Sequence, residues 1–248
     1  SKVGLLATEG TLKTGVYYKI FNKDYDLIQP SQNLQKKSVN RAIKLVKMGN
    51  VKAAAKAIKL AINELIIKTD SPNLDILPSH IDLVGAELEM INLEEREFRL
   101  KKAIEKITDL FDVILIDCSP SLGTLTVNAL TASNGVIIPM ECEYFAVLGL
   151  SLVKKTIQKI KENTNPELEI LGILATMFER KTSHSREVLE LIDKEFPDEV
   201  FDTIISRTVR FSESTVAGVP VTAYASSSSG SASYRRLARE LIARGGAK

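Results

Sequence analysis

The run FDVILIDCSPSLG, from Phe111 to Gly123, constrains the fold of this chain more than any other stretch. Its apolar first half predicts a buried strand, and Asp117 stands at the carboxyl-terminal tip of that strand. The small residues that follow predict a turn that opens a helix. In an open parallel sheet the ligand crevice lies at the carboxyl ends of the strands, so this position suits a carboxylate that meets a metal ion or a phosphate.

A strand that ends in such an acid is typical of a Walker B motif, in which the acid holds Mg²⁺, usually through water, beside a nucleotide. A protein of that kind also needs a glycine-rich GxxxxGK[ST] loop after its first strand. The matching stretch here, residues 7–15, reads ATEGTLKTG. The sequence therefore indicates one half of a nucleotide site clearly and the other half incompletely.

Strands alternate with helices along the chain. Apolar runs bounded by turn residues predict strands at 2–8, 25–30, 73–78, 113–117, 135–140, 168–178 and 200–205. Helical spacing predicts helices near 11–22, in a hairpin between 32 and 68, and near 82–91, 95–110, 148–162, 183–196 and 231–245. This alternation predicts a single α/β domain over residues 1–248, with three layers: a mainly parallel, twisted sheet with helices on both faces.

Composition indicates the compartment and the kinds of partner that we expect for this protein. Its two cysteines, Cys118 and Cys142, are far apart in sequence, and it has only two histidines. We therefore expect neither a zinc site nor a disulfide framework, and we expect the protein in a reducing cytoplasm. No apolar run approaches the ~18 residues of a bilayer span, and the start lacks the apolar core of a signal peptide. Residues 1–69 carry 13 Lys/Arg against 4 Asp/Glu, which could attract nucleic acid or could be solvated helix faces.

From about residue 67 to residue 248, the chain resembles the ParA/Soj family of chromosome- and plasmid-partition ATPases, relatives of MinD. The resemblance rests on stretches in the family's order: FDVILIDCSPSLGTLTVNALTAS, GVIIPMECEYFAVLGLSLV, GILATMFERKTSHSREV and VFDTIISRTVRFSEST. It implies a P-loop NTPase-like, Rossmann-like fold, ATP and Mg²⁺ as cofactors and ATP hydrolysis as the activity if the protein is an active enzyme. No catalytic residue can be named.

Set on the family's loop KGGxGKT, Lys13 and Thr14 match the last two positions, whereas Leu12 and Glu9 replace glycines. Glycines are needed where φ is positive and the backbone touches phosphate, and Glu9 adds a negative charge beside an anion. We therefore expect impaired nucleotide binding. The remaining candidate ligands are Gly10, Thr11, Lys13 and Thr14 for phosphate, Asp117 and Thr14 for Mg²⁺, and Met177 and Arg207 near the adenine. Glu141 and Glu143 could line the same crevice or be exposed loop acids.

The resemblance also implies partners. Relatives of this kind form ATP-dependent homodimers and bind DNA non-specifically through surface arginines that contact phosphates. The matching candidates here are Arg207, Arg210, Arg235 and Arg236, although ordinary helix-face charge would explain them too. No membrane partner is expected, and a partner protein cannot be named.

Residues 1–66 resemble a different family, the second domain of aspartate/glutamate racemases, through the pattern KVGLLAT-x-GT-x-x-x-GVY and a Lys-Met-Gly-Asn turn. The two resemblances meet near Leu65–Thr69, which leads to the hypothesis of a natural or engineered chimera with segments 1–66 and 67–248. Three functions stay open: a partition ATPase scaffold with a degenerate phosphate loop, a recombined fold without catalytic activity, and a racemase-like amino-acid binder that would need two reactive thiols.

Overall fold

The computed structural model describes residues 2–4, 26–28, 66–69, 73–77, 79, 83–105 and 107–246. The chain divides into two compact units, Ser1–Leu93 and Glu94–Lys248. The predicted helices between residues 11 and 66 and the candidate phosphate loop lie outside the described residues. The prediction of a single domain over 1–248 stays a prediction.

In the first unit, strand β1 (Lys2–Gly4) pairs in parallel with β2 (Asp26–Ile28), at two predicted positions. Strand β3 (Ile67–Lys68) pairs antiparallel with β4 (Asp75–Ile76), and helix α1 covers Leu83–Met90. The sequence predicted that a helix would continue to residue 68, and this is wrong. Both the backbone amide and the hydroxyl of Thr69 donate to the carbonyl of Leu74, which closes a turn and holds the two short strands together.

The sheet of the second unit is parallel. Strand β5 (Gly135–Glu141) pairs with β6 (Glu169–Thr176), which confirms two predicted strands. Residues 199–206 run parallel to β6 on its other side but form only isolated bridges, at Val200 and Ser206, rather than the predicted continuous strand. Between the two bridges the amides of Phe201 and Ile205 donate to β6, at Ile173 and Ala175. The amides of Asp202 and Thr203 donate instead to a side chain of the last helix.

Helices cover both faces of this sheet, as predicted. They are α2 (Arg99–Ile104), α3 (Thr124–Ala132), α4 (Tyr144–Asn163), α5 (Ser183–Glu195), α6 (Val209–Ala217), α7 (Val221–Tyr224) and α8 (Ser229–Ala243). On one face, Ile138 and Ile173 join a core with α3, α4 and α5. On the other face, Leu174 and Phe201 pack against residues of α6 and α8. Neighbouring strand residues thus alternate between two cores.

The predicted strand at 113–117 is wrong as a strand. Residues 113–119 have no strand partner among the described residues, and the side chains of Val113, Ile114 and Leu115 are 42%, 38% and 80% exposed. A strand forms only where a neighbour satisfies its backbone groups. The apolar run therefore predicted neither the exposure of these side chains nor the lack of a strand partner among the described residues, and Asp117 does not lie at the tip of a strand here.

The observed helix boundaries differ from the predicted ones in two regions. The predicted helix at 95–110 is broken into the short 3₁₀ helix Arg96–Phe98, α2, and a second 3₁₀ helix, Thr108–Leu110, and Glu95 before them has a positive φ of 52°. Helices α6 and α7 were not predicted, although Thr208 caps α6 and Gly218 ends it with φ 66°. Within the described part of the chain, no helix combines the length and the apolar character that crossing a bilayer requires.

Candidate functional site

Three chain segments end side by side at one edge of the second unit's sheet. The amide of Cys142 donates to the carbonyl of Thr176 at 3.2 Å, which sets the residue after β5 against the end of β6. The amide of Phe178 donates to Ile205 at 3.2 Å, and that of Arg207 to Phe178 at 3.1 Å. Ligands of parallel sheets bind at this end of the strands. We call the following residues the carboxyl edge: Cys142, Glu143, Met177, Phe178, Ser206 and Arg207.

Met177, which the sequence predicted to lie within a strand at 168–178, directly follows β6. Its φ of 52° is unusual for a residue with a long side chain, and the side chain is 40% exposed while Phe178 beside it is buried. Backbone conformations of this kind concentrate at ligand sites. Met177 therefore presents an apolar surface at the carboxyl edge, which is the type of contact that an aromatic base can use.

Arg207 is joined by its backbone amide to the carbonyl of Phe178, the residue after Met177. Its Nε is 3.1 Å from Oε1 of Glu179, and the side chains are 60% and 46% exposed. A pair that exposed contributes about 0–1 kcal/mol to stability. The guanidinium group can therefore exchange Glu179 for an anionic ligand at little energetic cost.

A second pair at this edge was not predicted. Nε2 of His184, in the first turn of α5, lies 3.3 Å from Oε2 of Glu143, the residue before α4. The two residues are 41 positions apart, so no sequence spacing could have indicated the contact. Glu141 and Glu143 are both exposed. Of the two, only Glu143 is among the residues of the carboxyl edge.

The two thiols do not have the properties of reactive nucleophiles. Burial, and then the nearby carboxylate of Glu143, raises the pKa of Cys142 to about 11. Desolvation and the charge of Asp117 also raise the pKa of Cys118. A racemase needs thiols that give up a proton easily, so these environments disfavour that chemistry.

Asp117 is exposed and forms no ion pair with another described residue. The turn after it is held by a 2.8 Å contact between the hydroxyls of Ser119 and Ser121 and by a 2.6 Å bond from Thr126 to the carbonyl of Ser121. Among the described residues no three His, Cys, Asp or Glu side chains are grouped around a common point. Asp117 can thus contribute one carboxylate to a cation site that takes its other ligands from water, phosphate or a hydroxyl. Four candidate ligands lie outside the described residues: Gly10, Thr11, Lys13 and Thr14.

The predicted DNA-binding arginines differ in whether their side chains already have partners. Arg210 bonds Glu213 at 2.6 Å, and Arg235 donates to the carbonyls of Ser226 at 2.7 Å and Thr222 at 3.4 Å. Arg236, the next residue on α8, is exposed and has no ion pair with another residue in the described ranges. Arg236 is therefore the member of the set best able to contact a phosphate, whereas Arg235 stabilises the turn before α8.

The chain is similar to known proteins over most of its length. Residues 17–170 match the family described as AAA domain. The chain is 47% identical over 188 residues to an uncharacterized protein of Mycobacterium tuberculosis, covering 76% of this chain and 59% of that protein. It is 43% identical over 188 residues to the chromosome-partitioning ATPase Soj of Treponema pallidum, covering 76% of this chain and 74% of Soj. The chain thus spans less than two thirds of the mycobacterial relative.

A solved structure agrees in fold. The cobyrinic acid a,c-diamide synthase of Mycobacterium smegmatis, with bound ADP and magnesium, superimposes with a TM-score of 0.63 and 31% identity over 97% of this chain and 80% of that one. These similarities support the predicted α/β, P-loop NTPase-like fold. They give no support to a racemase-like segment, because the family match begins at residue 17, well inside residues 1–66.

Proposed function

Because this chain belongs to the AAA-domain family of ParA- and Soj-type partition ATPases, we propose that it binds ATP and Mg²⁺ at the carboxyl edge. The observation that carries the proposal is the hydrogen bond from the Arg207 amide to the Phe178 carbonyl at the end of the parallel sheet, because it brings Arg207 beside the segment that contains Met177. Nucleotides bind at this end of the sheet in such folds. ATP would bring a transferable phosphoryl group, and Mg²⁺ would neutralise charge on its phosphates. Asp117 would hold water on the cation, Met177 would pack on the base, and Arg207 would replace Glu179 with an anionic partner.

The proposal includes a weakened phosphate loop. Thr8, Glu9 and Leu12 occupy positions where the family has lysine and glycines, and Glu9 brings a negative charge toward phosphate. Two like charges about 4 Å apart repel by about one to several kcal/mol, depending on the dielectric. Lys13 and Thr14 remain to contact phosphate and Mg²⁺. We therefore propose weak nucleotide binding rather than the affinity of an intact loop.

The test is a titration with fluorescent ATP in the presence and absence of Mg²⁺. Asp117→Ala should weaken Mg-dependent binding by about tenfold or more, because a cation ligand is lost, and should change nothing when Mg²⁺ is chelated. Asp112→Ala is the matched control, since Asp112 is an exposed acid five positions earlier, and it should leave binding unchanged. If the wild-type chain binds no ATP at millimolar concentration, the ATPase proposal fails.

That failure would favour the second candidate, a fold without catalytic activity that arose by natural or engineered recombination. The departure of residues 8–14 from the family's glycine-rich loop is the observation that favours it. Cooperative unfolding with a midpoint that nucleotide does not shift would be its signature, because a ligand that does not bind the native state cannot stabilise it.

We further propose that ATP-bound homodimers contact DNA through the arginine set. Arg236→Ala should lower the magnitude of the slope of log K against log salt by about 1, since one phosphate contact is lost. Arg235→Ala should leave that slope nearly unchanged, because its guanidinium is engaged with backbone carbonyls of Ser226 and Thr222. The measurement is fluorescence anisotropy with duplexes of unrelated sequence, and equal slopes for Arg236→Ala and wild type would contradict the assignment.

A further inference from the structure

A groove between helix α4 and the sheet of the second unit has a basic lining. Its volume is about 440 Å³, within the size range of small-molecule sites. The lining includes Lys154, Lys155 and Lys161 of α4, Ile170 of β6, and Glu199. Glu199 is the one acid among the described residues that line the cavity. We call this cavity the lysine groove.

The charge of Glu199 is already balanced by one of the lysines. Nζ of Lys154 lies 2.7 Å from both carboxylate oxygens of Glu199, and the two side chains are 26% and 37% exposed. The same ammonium group lies 4.5 Å from the centre of the Phe196 ring, which also favours its position. Lys154 and Glu199 therefore form a neutral, partly buried pair in the wall of the groove.

Lys155 and Lys161 supply the charge that remains. Lys155 is exposed and Lys161 is half-buried, and neither has an ion pair with another residue in the described ranges. Gln158, which also lines the groove, donates from its side-chain amide to Glu162 at 2.8 Å, but Glu162 itself does not line the groove. Two ammonium groups without acidic partners beside a neutral pair attract an anion that carries two or more charges.

The lining also indicates the class of ligand. An ammonium group is a compact point charge that suits the oxygens of phosphate, whereas carboxylates are matched best by the planar fork of arginine. The described lining contains lysines and no arginine. Ile170 and the alkyl stems of the lysines add apolar surface, on which the rest of an organic phosphate can pack.

The lysine groove lies toward the opposite end of the sheet from the carboxyl edge. Ile170 is the second residue of β6, and Met177 directly follows the last residue of the same strand. Seven residues at about 3.3 Å each separate them by about 20 Å along the strand. A small ligand in the groove therefore does not reach the carboxyl edge, and the two sites can be distinguished experimentally.

We propose that the lysine groove binds a small phosphorylated molecule with two or more phosphate charges, through Lys155 and Lys161. The proposal goes beyond the ATP site proposed above, because the groove requires neither Mg²⁺ nor the loop at 8–14. Two solvent-accessible lysines give a low affinity, with a dissociation constant on the order of 1 mM for an inorganic polyphosphate.

Methyl NMR spectra of the whole chain, titrated with sodium tripolyphosphate to about 10 mM in the presence of EDTA, test the site. The methyl signals of Ile170 should shift and saturate, because this residue lines the groove. The methyl signal of Met177 reports on the carboxyl edge and should stay in place. Sodium chloride at matched ionic strength is the control for screening, and it should not reproduce the shift.

Three variants should change the affinity in different directions. Lys161→Gln should weaken binding by about three- to tenfold, because one phosphate contact is lost. Lys159→Gln is the matched control, since Lys159 is an exposed lysine of the same helix that does not line the groove, and it should leave the affinity unchanged. Glu199→Gln should tighten binding by about threefold or more, because it removes the acid and frees the ammonium group of Lys154. A purely structural role of Glu199 would not strengthen binding.

Several results would overturn the proposal: a shift of Met177 instead of Ile170, a shift that sodium chloride reproduces, equal effects of Lys161→Gln and Lys159→Gln, or weaker binding by Glu199→Gln. Titration with a DNA duplex distinguishes the source of the phosphate. If Lys161→Gln weakens binding of the duplex but not of tripolyphosphate, the groove contacts nucleic acid and the small-molecule proposal is wrong. None of these outcomes depends on ATP, so they are distinct from failure of the proposed function.

Discussion

Glu240, in α8, and Arg244, the residue that directly follows α8, bond the backbone of residues 199–206. The carboxylate of Glu240 accepts from the amides of Asp202 at 2.7 Å and Thr203 at 3.0 Å. Arg244 donates to the carbonyl of Val200 at 2.7 Å and is 3.0 Å from Glu240. The Glu240 side chain is 14% exposed, so these bonds are shielded from water. Two side chains thus satisfy backbone groups that a further strand would otherwise bond.

This arrangement predicts a pH dependence of stability. Burial acts to raise the pKa of Glu240, but the bonds from Thr203 and Asp202 and the charge of Arg244 outweigh it, so the pKa lies below its usual value of about 4.3. A lowered pKa in the folded state stabilises the fold above the unfolded-state pKa, and that contribution disappears as the pH falls through the folded-state value. Glu240→Gln should therefore lower the free energy of unfolding by about 1–3 kcal/mol at pH 7 and by much less at pH 3.

Urea titrations of both proteins at the two pH values measure this difference. Glu167→Gln is the control, because Glu167 is an exposed acid with no resolved tertiary bond among the described residues, and it should have no effect at either pH. An equal loss for Glu240→Gln at pH 7 and pH 3 would contradict the electrostatic account.

At the carboxyl edge, Met177 and Arg207 were predicted from the resemblance to the ParA/Soj family, whose matching positions lie near the adenine. The Glu143–His184 pair could not be predicted, since it depends on how the first turns of α4 and α5 pack together. Sequence also gave no means of telling the engaged Arg235 from the accessible Arg236.

At the scale of elements, β6 contains an irregularity that its sequence marks only by a glycine. The register against β5 moves from Val136–Ile170 to Ile137–Gly172, so Leu171 is the extra residue of a bulge. Gly172 has φ 155°, and a Cβ there would stand 2.5 Å from the ring of Phe201. The bulge thus lets residues 199–206 approach β6 closely.

Gly172→Ala should lower the free energy of unfolding by about 1–3 kcal/mol, because the added methyl group forces the buried Phe201 ring or the backbone to move. Gly149→Ala is the contrast: nothing lies within 4 Å of its added Cβ, and alanine in a helix should stabilise by about 0.5–1 kcal/mol. Thermal unfolding followed by circular dichroism measures both changes. Opposite signs are expected, and equal effects would contradict the packing argument.

Strands and helices differ in what their sequences specify. The apolar runs of β5 and β6 located these strands within one or two residues, and the amphipathic spacing of α5 and α8 did the same for the helices. The run at 113–117 is just as apolar, but pairing is a property of two segments and no local pattern contains it. Helices α6 and α7 were missed because nine and four residues give little helical periodicity to recognise.

At the scale of the whole molecule, the proposed function gives the loop at 8–14 control over ATP affinity. Restoring the family's loop with Thr8→Lys, Glu9→Gly and Leu12→Gly should raise ATP affinity by about tenfold or more, because backbone amides can then approach phosphate and one repelling charge is gone. Adding Lys13→Ala to the restored protein should remove that gain. Calorimetric titration with Mg-ATP measures both.

Should the restored loop leave affinity unchanged, the weakness would lie elsewhere in the molecule and the assignment of residues 8–14 as the defective part would be wrong. The fold class could be predicted from alternating patterns over the whole chain, which average out local errors. The grouping into two compact units could not, because it depends on contacts between distant segments.

The hydrogen bonds from Glu240 and Arg244 to residues 199–206 also affect whether this protein aggregates at high concentration. An exposed outer strand is a template onto which another chain can add, and repeated addition leads to fibrils. Here the outward amides of Asp202 and Thr203 and the carbonyl of Val200 are occupied, so an approaching chain finds no bonding groups at these positions. Replacing either Glu240 or Arg244 should therefore destabilise the fold and also expose backbone groups onto which another chain can add.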